Sequence, residues 1–257
     1  MKTTLITGAT GGLGKAFAKI FAQNNNNLLL VGTNDDKLNS LKEELSSKYS
    51  VNIDYISADF SDKEQLKKVY EYAKSKEYFV NNLVNCAGFG DRTDFKDMDV
   101  DLQLKMIDVN CNALLYFSRV FINDMLDNNE GHIINACSLA GFVPGPYMCT
   151  YHASKAFVLN LTESIAHEIR KTKVKILALC PGPFISGFVG KAKNDWTFKK
   201  IKPVSADKIA SFGYKKAMKG KRIAIPGFTN KLTAFAPRFF SRKFVAKVSA
   251  GTLKKGG

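Results

Sequence analysis

Seven short apolar runs, most of them followed by a stretch of helix length, constrain the fold of this chain more tightly than any other feature. TTLIT (3–7) precedes a predicted helix from about Gly12 to Gln23, NLLLVG (27–32) precedes one over 37–48, and VNIDYISA (51–58) precedes one from about Asp62 to Lys76. NLVNCA (82–87) leads through a loop to a long helical stretch ending near Asn129, and GHIINACS (131–138) leads to a helix containing YHASK. KVKILALC (173–180) and GKRIAIPG (220–227) complete the series. Strands that are apolar along most of their length and alternate with helices belong to a parallel sheet covered on both faces. The expected class is therefore α/β: a doubly wound parallel sheet of about seven strands with helices on both faces. With 257 residues, 45% of them apolar, the chain can fill one such core without a second domain. The predicted organisation is one α/β domain over 1–227, with a lid segment at about 183–207, and a basic helical tail over 228–257.

Between the first strand and the first helix lies TGATGGLG (7–14). Glycines at 8, 12 and 14 permit a tight turn and let a pyrophosphate approach backbone N–H groups at the helix N-terminus. Gly8, Thr10, Gly11, Gly12, Leu13 and Gly14 are the candidate contacts. At the tip of the second strand, where an acid would hold a ribose 2′-hydroxyl, the sequence reads VGTNDDKL (31–38). No acid stands at the tip, so nothing there repels a 2′-phosphate, and no arginine clamps one. The reading favours NADP(H) over NAD(H), with Thr33, Asn34 and Lys37 as contacts. Asp35 and Asp36 serve as first-turn acids of the next helix, or Asp35 holds an NAD ribose.

YHASK (151–155) places Tyr151 and Lys155 one helical turn apart, so a phenol and an ammonium share a face. With TGATGGLG, Ala58–Asp59, NCAG (85–88), Asn110, Ser138 and PGP (181–183) in this order and spacing, the chain resembles the short-chain dehydrogenase/reductase family over roughly residues 3–227. AGFVPGPYMCTYHASKAFVLNLTESIAHEI (140–169) and the tail after IPG are closest in character to its 3-oxoacyl-CoA reductase and hydroxysteroid dehydrogenase-like branch.

The resemblance implies a Rossmann-type fold and a hydride transfer between a nicotinamide and a ketone or secondary alcohol. Tyr151 would be the general acid/base, and Lys155 would lower its pKa and bind the nicotinamide ribose. Ser138 would hold the substrate oxygen, and Asn110 would hold a water in a proton relay. Asp59 and Phe60 would lie at the adenine, and Asn85, Ala87 and Gly88 along its ribose. Pro181, Gly182, Ile185 and Ser186 would flank the nicotinamide. Phe89, Phe142, Pro146, Tyr147 and Met148 would face Phe184, Phe188 and Trp196 across an apolar pocket for a fatty acyl, steroid-like or similar carbonyl. Cys86 and Cys137 depart from the residues usual at their positions without removing a catalytic group. A dinucleotide-binding regulator or peripheral membrane scaffold without turnover is the alternative, and it would have no need of Ser138, Tyr151 and Lys155 together.

Charge divides the chain unevenly. Residues 1–190 hold 20 Lys+Arg against 21 Asp+Glu, and residues 191–257 hold 18 against 2. In the tail, Pro237 is expected to separate two short helices, and Phe240, Phe244 and Val248 recur at four-residue steps among cations. That stripe suits packing on the domain or on a partner subunit, which is preferred, or an anionic membrane surface contacted through 230–255. No recognised nucleic-acid module accompanies the charge, so nucleic acid is not an expected partner. The family commonly pairs through helices matching residues near 98–129 and 150–171, so a homo-oligomer, dimer or tetramer, is expected. Five cysteines without CxxC or Cys/His clustering predict no metal and reduced thiols. With no predicted leader or membrane span, the expected location is cytoplasmic, with peripheral membrane association if the tail binds lipid.

Overall fold

The computed structural model describes residues 1–185 and 204–253. Each of the seven apolar runs forms a strand of one parallel sheet: β1 (Lys2–Thr7), β2 (Asn27–Gly32), β3 (Ile53–Ser57), β4 (Phe79–Asn85), β5 (His132–Ala136), β6 (Lys175–Leu179) and, after a separate two-strand pair β7 (Phe184–Ile185) and β8 (Val204–Ser205), β9 (Ile223–Ala224). The order across the sheet is β3-β2-β1-β4-β5-β6-β9. From β1 the chain first winds outward through β2 and β3, then returns to β4 on the other side of β1 and winds the opposite way. The reversal leaves a crevice beyond the carboxyl ends of β1 and β4, where open sheets of this kind bind ligands.

The helices are α1 (Gly12–Gln23), α2 (Asp35–Ser46), α3 (Lys63–Ser75), α4 (Val100–Ile107), α5 (Ala113–Asp127), α6 (Cys149–Glu168), α7 (Ala206–Met218), α8 (Phe228–Phe235) and α9 (Arg242–Leu253). Strand residues alternate between the two faces. Ile6, Leu28 and Leu30 pack with Phe17 and Phe21 of α1 and Ile209 of α7. Leu5, Leu29 and Val31 pack on the other side with Val69 of α3 and Phe117 and Phe121 of α5. Asn34, Asp62, Asp99 and Ser205 cap α2, α3, α4 and α7, their side chains accepting first-turn N–H groups.

Two expected elements differ from the sequence reading. The long fourth helix is divided into α4 and α5 by a π-turn at Asp108–Asn112. The closing strand over 220–227 contracts to Ile223–Ala224, since Gly220 and Gly227 both take positive φ and bound the extended stretch. The tail divides as expected: α8 runs into a 3₁₀ turn at Ala236–Phe239 containing Pro237, and α9 follows. The far end of α9 is tied down where the Arg92 guanidinium donates to the Leu253 carbonyl.

Candidate active site

The TGATGGLG turn follows β1 and opens α1. Gly8 has φ +62°, and a Cβ there would lie 2.9 Å from the Ala87 backbone of the loop after β4. A Cβ on Gly14 would overlap the Gly8 carbonyl. Thr7 ties the two loops together, its Oγ1 accepting the Cys86 and Ala87 N–H groups at 3.0 and 3.1 Å. Gly11 is the N-cap of α1 and supplies no side-chain acceptor, and no acid stands in the first turn. The first N–H groups of α1 are thus uncovered by side chains at the end of the helix where the dipole attracts an anion. A dinucleotide pyrophosphate fits this cradle. Gly14→Ala is expected to weaken dinucleotide binding by about a hundredfold or more, read by fluorescence titration, because the added methyl forces the turn open.

Around the tip of β2, Thr33, Asn34 and Lys37 are exposed, and so are Asp35 and Asp36. Asn34 Oδ1 accepts the Lys37 N–H at 2.8 Å, which fixes the turn and leaves the Lys37 ammonium at the surface. Asp59 lies at the end of β3; its carboxylate accepts from Ser61 and pairs with Lys105 at 2.9 Å, and these contacts, that with Ser61 foremost, hold its pKa below the usual carboxylate range. Phe60 is buried against Phe117 at 5.1 Å between ring centroids, so its side chain belongs to the core. The Asn85 side chain is also turned inward, donating to Ser118 and Asn135, so only its backbone faces the crevice.

On the other side of β4, the site is assembled from the ends of β5 and β6 and the start of α6. Ser138 follows β5 and caps the 3₁₀ turn Leu139–Phe142; its Oγ accepts the Ala140 N–H at 3.2 Å and is hydrogen-bonded to Tyr151. An Oγ that already accepts from the backbone keeps its own proton free to donate. Burial pushes the Tyr151 phenol up to about 12, and the hydrogen bond from Ser138 opposes the rise. Lys155 is buried on the same face of α6, its Nζ 5.7 Å from the Tyr151 ring centroid and donating to the Ala136 carbonyl at 2.9 Å. Burial lowers the Lys155 pKa. Burial therefore favours the protonated phenol near neutrality.

Asn110 lies in the π-turn, where the local widening carries its side chain into the site. Its Oδ1 accepts the Phe89 N–H and its Nδ2 donates to the Phe89 carbonyl, both at 2.9 Å, and to Ser154 Oγ at 3.1 Å. Asn110 thus braces the loop after β4 against α6 beside Lys155. Gly88 is the narrow point between them: a Cβ there would come within 3.0 Å of Asn110 Oδ1 and 3.6 Å of Lys155 Nζ.

The family model for short chain dehydrogenases matches residues 2–196. The chain belongs to the short-chain dehydrogenase family. It is an oxidoreductase that works with a nicotinamide dinucleotide. An uncharacterized oxidoreductase of Staphylococcus epidermidis is 31% identical to it over 181 residues, 70% of this chain and 77% of the relative. Among solved structures, a 7β-hydroxysteroid dehydrogenase superposes with a TM-score of 0.86 at 23% identity, covering 97% of this chain and 96% of that one. A short-chain dehydrogenase from Sphingobium yanoikuyae in complex with NADPH gives a TM-score of 0.83 at 23% identity and covers 93% of each chain.

In this short-chain dehydrogenase, Tyr151 and Lys155 share one face of α6, Ser138 lies against Tyr151, and Asn110 joins them through Phe89 and Ser154. Of the expected pocket residues, Phe89, Pro146 and Tyr147 are half-buried, whereas Met148 is buried. Phe142 and Phe184 are half-buried and pack against core clusters. Tyr147 is held at φ +68°, a left-handed conformation costing roughly 1 kcal/mol for a bulky residue. Ser186, Phe188 and Trp196 lie outside the described residues, as does most of the expected lid. Sequence reasoning gave no role to His152, yet it organises this wall. Its Nδ1 meets the Val143 carbonyl at 2.9 Å, and its ring fills the space a Cβ on Gly145 would need. Asn230 of α8 is a second omission: its side chain lies 2.7 Å from where a Gly182 Cβ would be, so the tail's first helix abuts the PGP turn. Among the described residues no group of His, Cys, Asp and Glu side chains could hold a metal ion.

Proposed function

We propose that this enzyme interconverts a lipophilic ketone and its secondary alcohol, with NADP(H) preferred over NAD(H) and Tyr151 as the general acid/base. The observation that carries this reading is the Ser138–Tyr151 hydrogen bond with Lys155 one turn along α6, beside a glycine cradle fit for a dinucleotide. A bound nicotinamide dinucleotide supplies or receives the hydride. Ser138 donates to the substrate oxygen and orients it toward Tyr151. Tyr151 gives its proton to that oxygen in reduction and takes it back in oxidation. Lys155 steadies the developing phenolate and contributes donors for ribose hydroxyls. Asn110, through Phe89 and Ser154, sets the positions from which Lys155 and the loop after β4 act.

The apolar half of the reading rests on Phe89, Phe142, Tyr147 and Phe184 in the structure and on Phe188 and Trp196 in the sequence. The NADP(H) preference rests on a β2 tip that presents Thr33, Asn34 and the free end of Lys37 with no acid at the tip itself. The helices that the family uses for pairing carry exposed Val100, Leu104, Leu115 and Phe157, which supports a homo-oligomer formed through α4, α5 and α6.

NADPH and NADH titrations, followed by a ketone screen under NADPH consumption, test this directly. Steroid-sized and fatty acyl ketones belong in the screen, since a 7β-hydroxysteroid dehydrogenase shares the fold. NADPH is expected to bind about tenfold tighter, and bulky apolar ketones to turn over faster than small polar ones. Tighter binding of NADH would move the cofactor assignment to Asp35 and NAD(H).

A further inference from the structure

We propose that the C-terminal helices form a docking surface for an anionic lipid bilayer, which brings the mouth of the active site to the membrane. On α8 and the 3₁₀ turn that continues it, Phe228, Leu232, Phe235 and Phe239 follow one another at steps of four, three and four residues. All four are exposed, Phe228 by 83% and Phe239 by 71%. Just before and along α9, Phe240, Phe244 and Val248 recur at steps of four and are each about half exposed. Phe235 and Phe239 meet at 5.2 Å between centroids, and Phe240 and Phe244 at 5.1 Å, so the rings form clusters rather than scattered single contacts. Among the described residues, the domain does not cover these stripes. Packing of the tail on its own domain instead uses other positions, such as buried Ala234 and Ser249.

Charge decides what does cover them. Residues 228–253 carry five cations (Lys231, Arg238, Arg242, Lys243 and Lys247) and no acid. All five are exposed, and none pairs with a carboxylate among the described residues. Two copies of this chain meeting through their tails would bring ten cations together without one compensating carboxylate. An anionic headgroup layer satisfies the same charges while the phenylalanines enter the acyl boundary. No described helix is long and apolar enough to cross a membrane, so the attachment is at the surface. Because α8 packs on the turn Leu139–Phe142 and Asn230 abuts Gly182, the docked face lies beside the site. The consequence, which rests on the reading of a lipophilic substrate, is that ketone and alcohol exchange with the bilayer rather than with bulk water.

Flotation of the full chain with vesicles tests the docking without reference to activity. Vesicles of phosphatidylcholine with phosphatidylglycerol are expected to carry the protein, phosphatidylcholine alone to carry little, and added salt to release it. Replacing Arg242, Lys243 and Lys247 together by Gln is expected to lower the partition coefficient roughly a hundredfold, at about fivefold per cation. Phe239→Ser, Phe240→Ser and Phe244→Ser combined should lower it by about tenfold or more. These side chains are exposed, so an unchanged melting temperature and NADPH affinity will certify the fold. Failure to float, equal binding to neutral vesicles, or undiminished binding by either triple variant would overturn the proposal. So would a dimer in vesicle-free solution that the phenylalanine substitutions dissociate, which would assign the face to a second copy.

Discussion

Tyr151→Phe is expected to lower the turnover number by about a thousandfold while leaving dinucleotide affinity and fold intact. The substitution deletes one oxygen from a half-buried ring. The ring's contacts persist, and Ser138 retains the Ala140 N–H as a partner. Loss of one hydrogen bond costs about 1 kcal/mol of stability, too little to unfold a domain of this size. What disappears is the proton that the carbonyl oxygen must receive. The pH profiles of the unmodified enzyme should bear the same stamp. With the phenol pushed up to about 12, Tyr151 stays protonated through neutral pH, so ketone reduction should be nearly flat there. Alcohol oxidation needs the deprotonated form, so its rate should climb about tenfold per pH unit up to the pKa of Tyr151 in the cofactor complex, which the positive charge of an oxidised nicotinamide would lower. A variant that retained full turnover, or an oxidation rate falling with pH, would remove Tyr151 from the proton path.

The fold was readable because its strands are apolar through and its turns carry glycine where the backbone must bend sharply. Period-two alternation between Leu5 and Ile6, or Leu29 and Leu30, cannot be seen in a strand buried on both faces, yet the run length and the helices between runs sufficed. The π-turn at Asp108–Asn112 was not readable. It arises from one extra residue in a helical stretch whose composition is ordinary, and only tertiary contacts with Phe89 and Ser154 repay it. His152 escaped for a related reason: its partners are a backbone carbonyl and a glycine, neither of which has a sequence signature. Phe60 and Asn85 show the converse. Their positions next to the crevice were legible, but the direction of each side chain follows from packing against Phe117 and from a buried amide network. The tail's periodicity was visible, whereas the absence of cover over it required the coordinates.

Lys155 sets stability against function. The residue is 6% exposed and its one described hydrogen bond goes to the Ala136 carbonyl; no carboxylate pairs with it among the described residues. Desolvating such a charge costs several kcal/mol, whereas losing the donor to Ala136 costs roughly 1–3 kcal/mol. The desolvation is larger, so Lys155→Met, an unbranched side chain one atom shorter that removes the charge, should raise the melting temperature. The expected gain is about 2–4 °C for each kcal/mol recovered. The sign of its pH dependence follows from linkage. Burial lowers the Lys155 pKa in the folded protein, so between that value and 10.5 the unfolded chain binds the extra proton and stability rises with pH. The advantage of the methionine variant should therefore be full below the folded-state value and shrink as pH rises from it toward 10.5. The same substitution should lower turnover by about a hundredfold or more and weaken NADPH binding, since the ammonium holds the phenolate and donates to the ribose. Thermal denaturation across pH, set beside single-turnover kinetics, reads both effects. A melting temperature that falls would mean the charge is compensated within the fold, and lysine would then be present for structure rather than for the reaction.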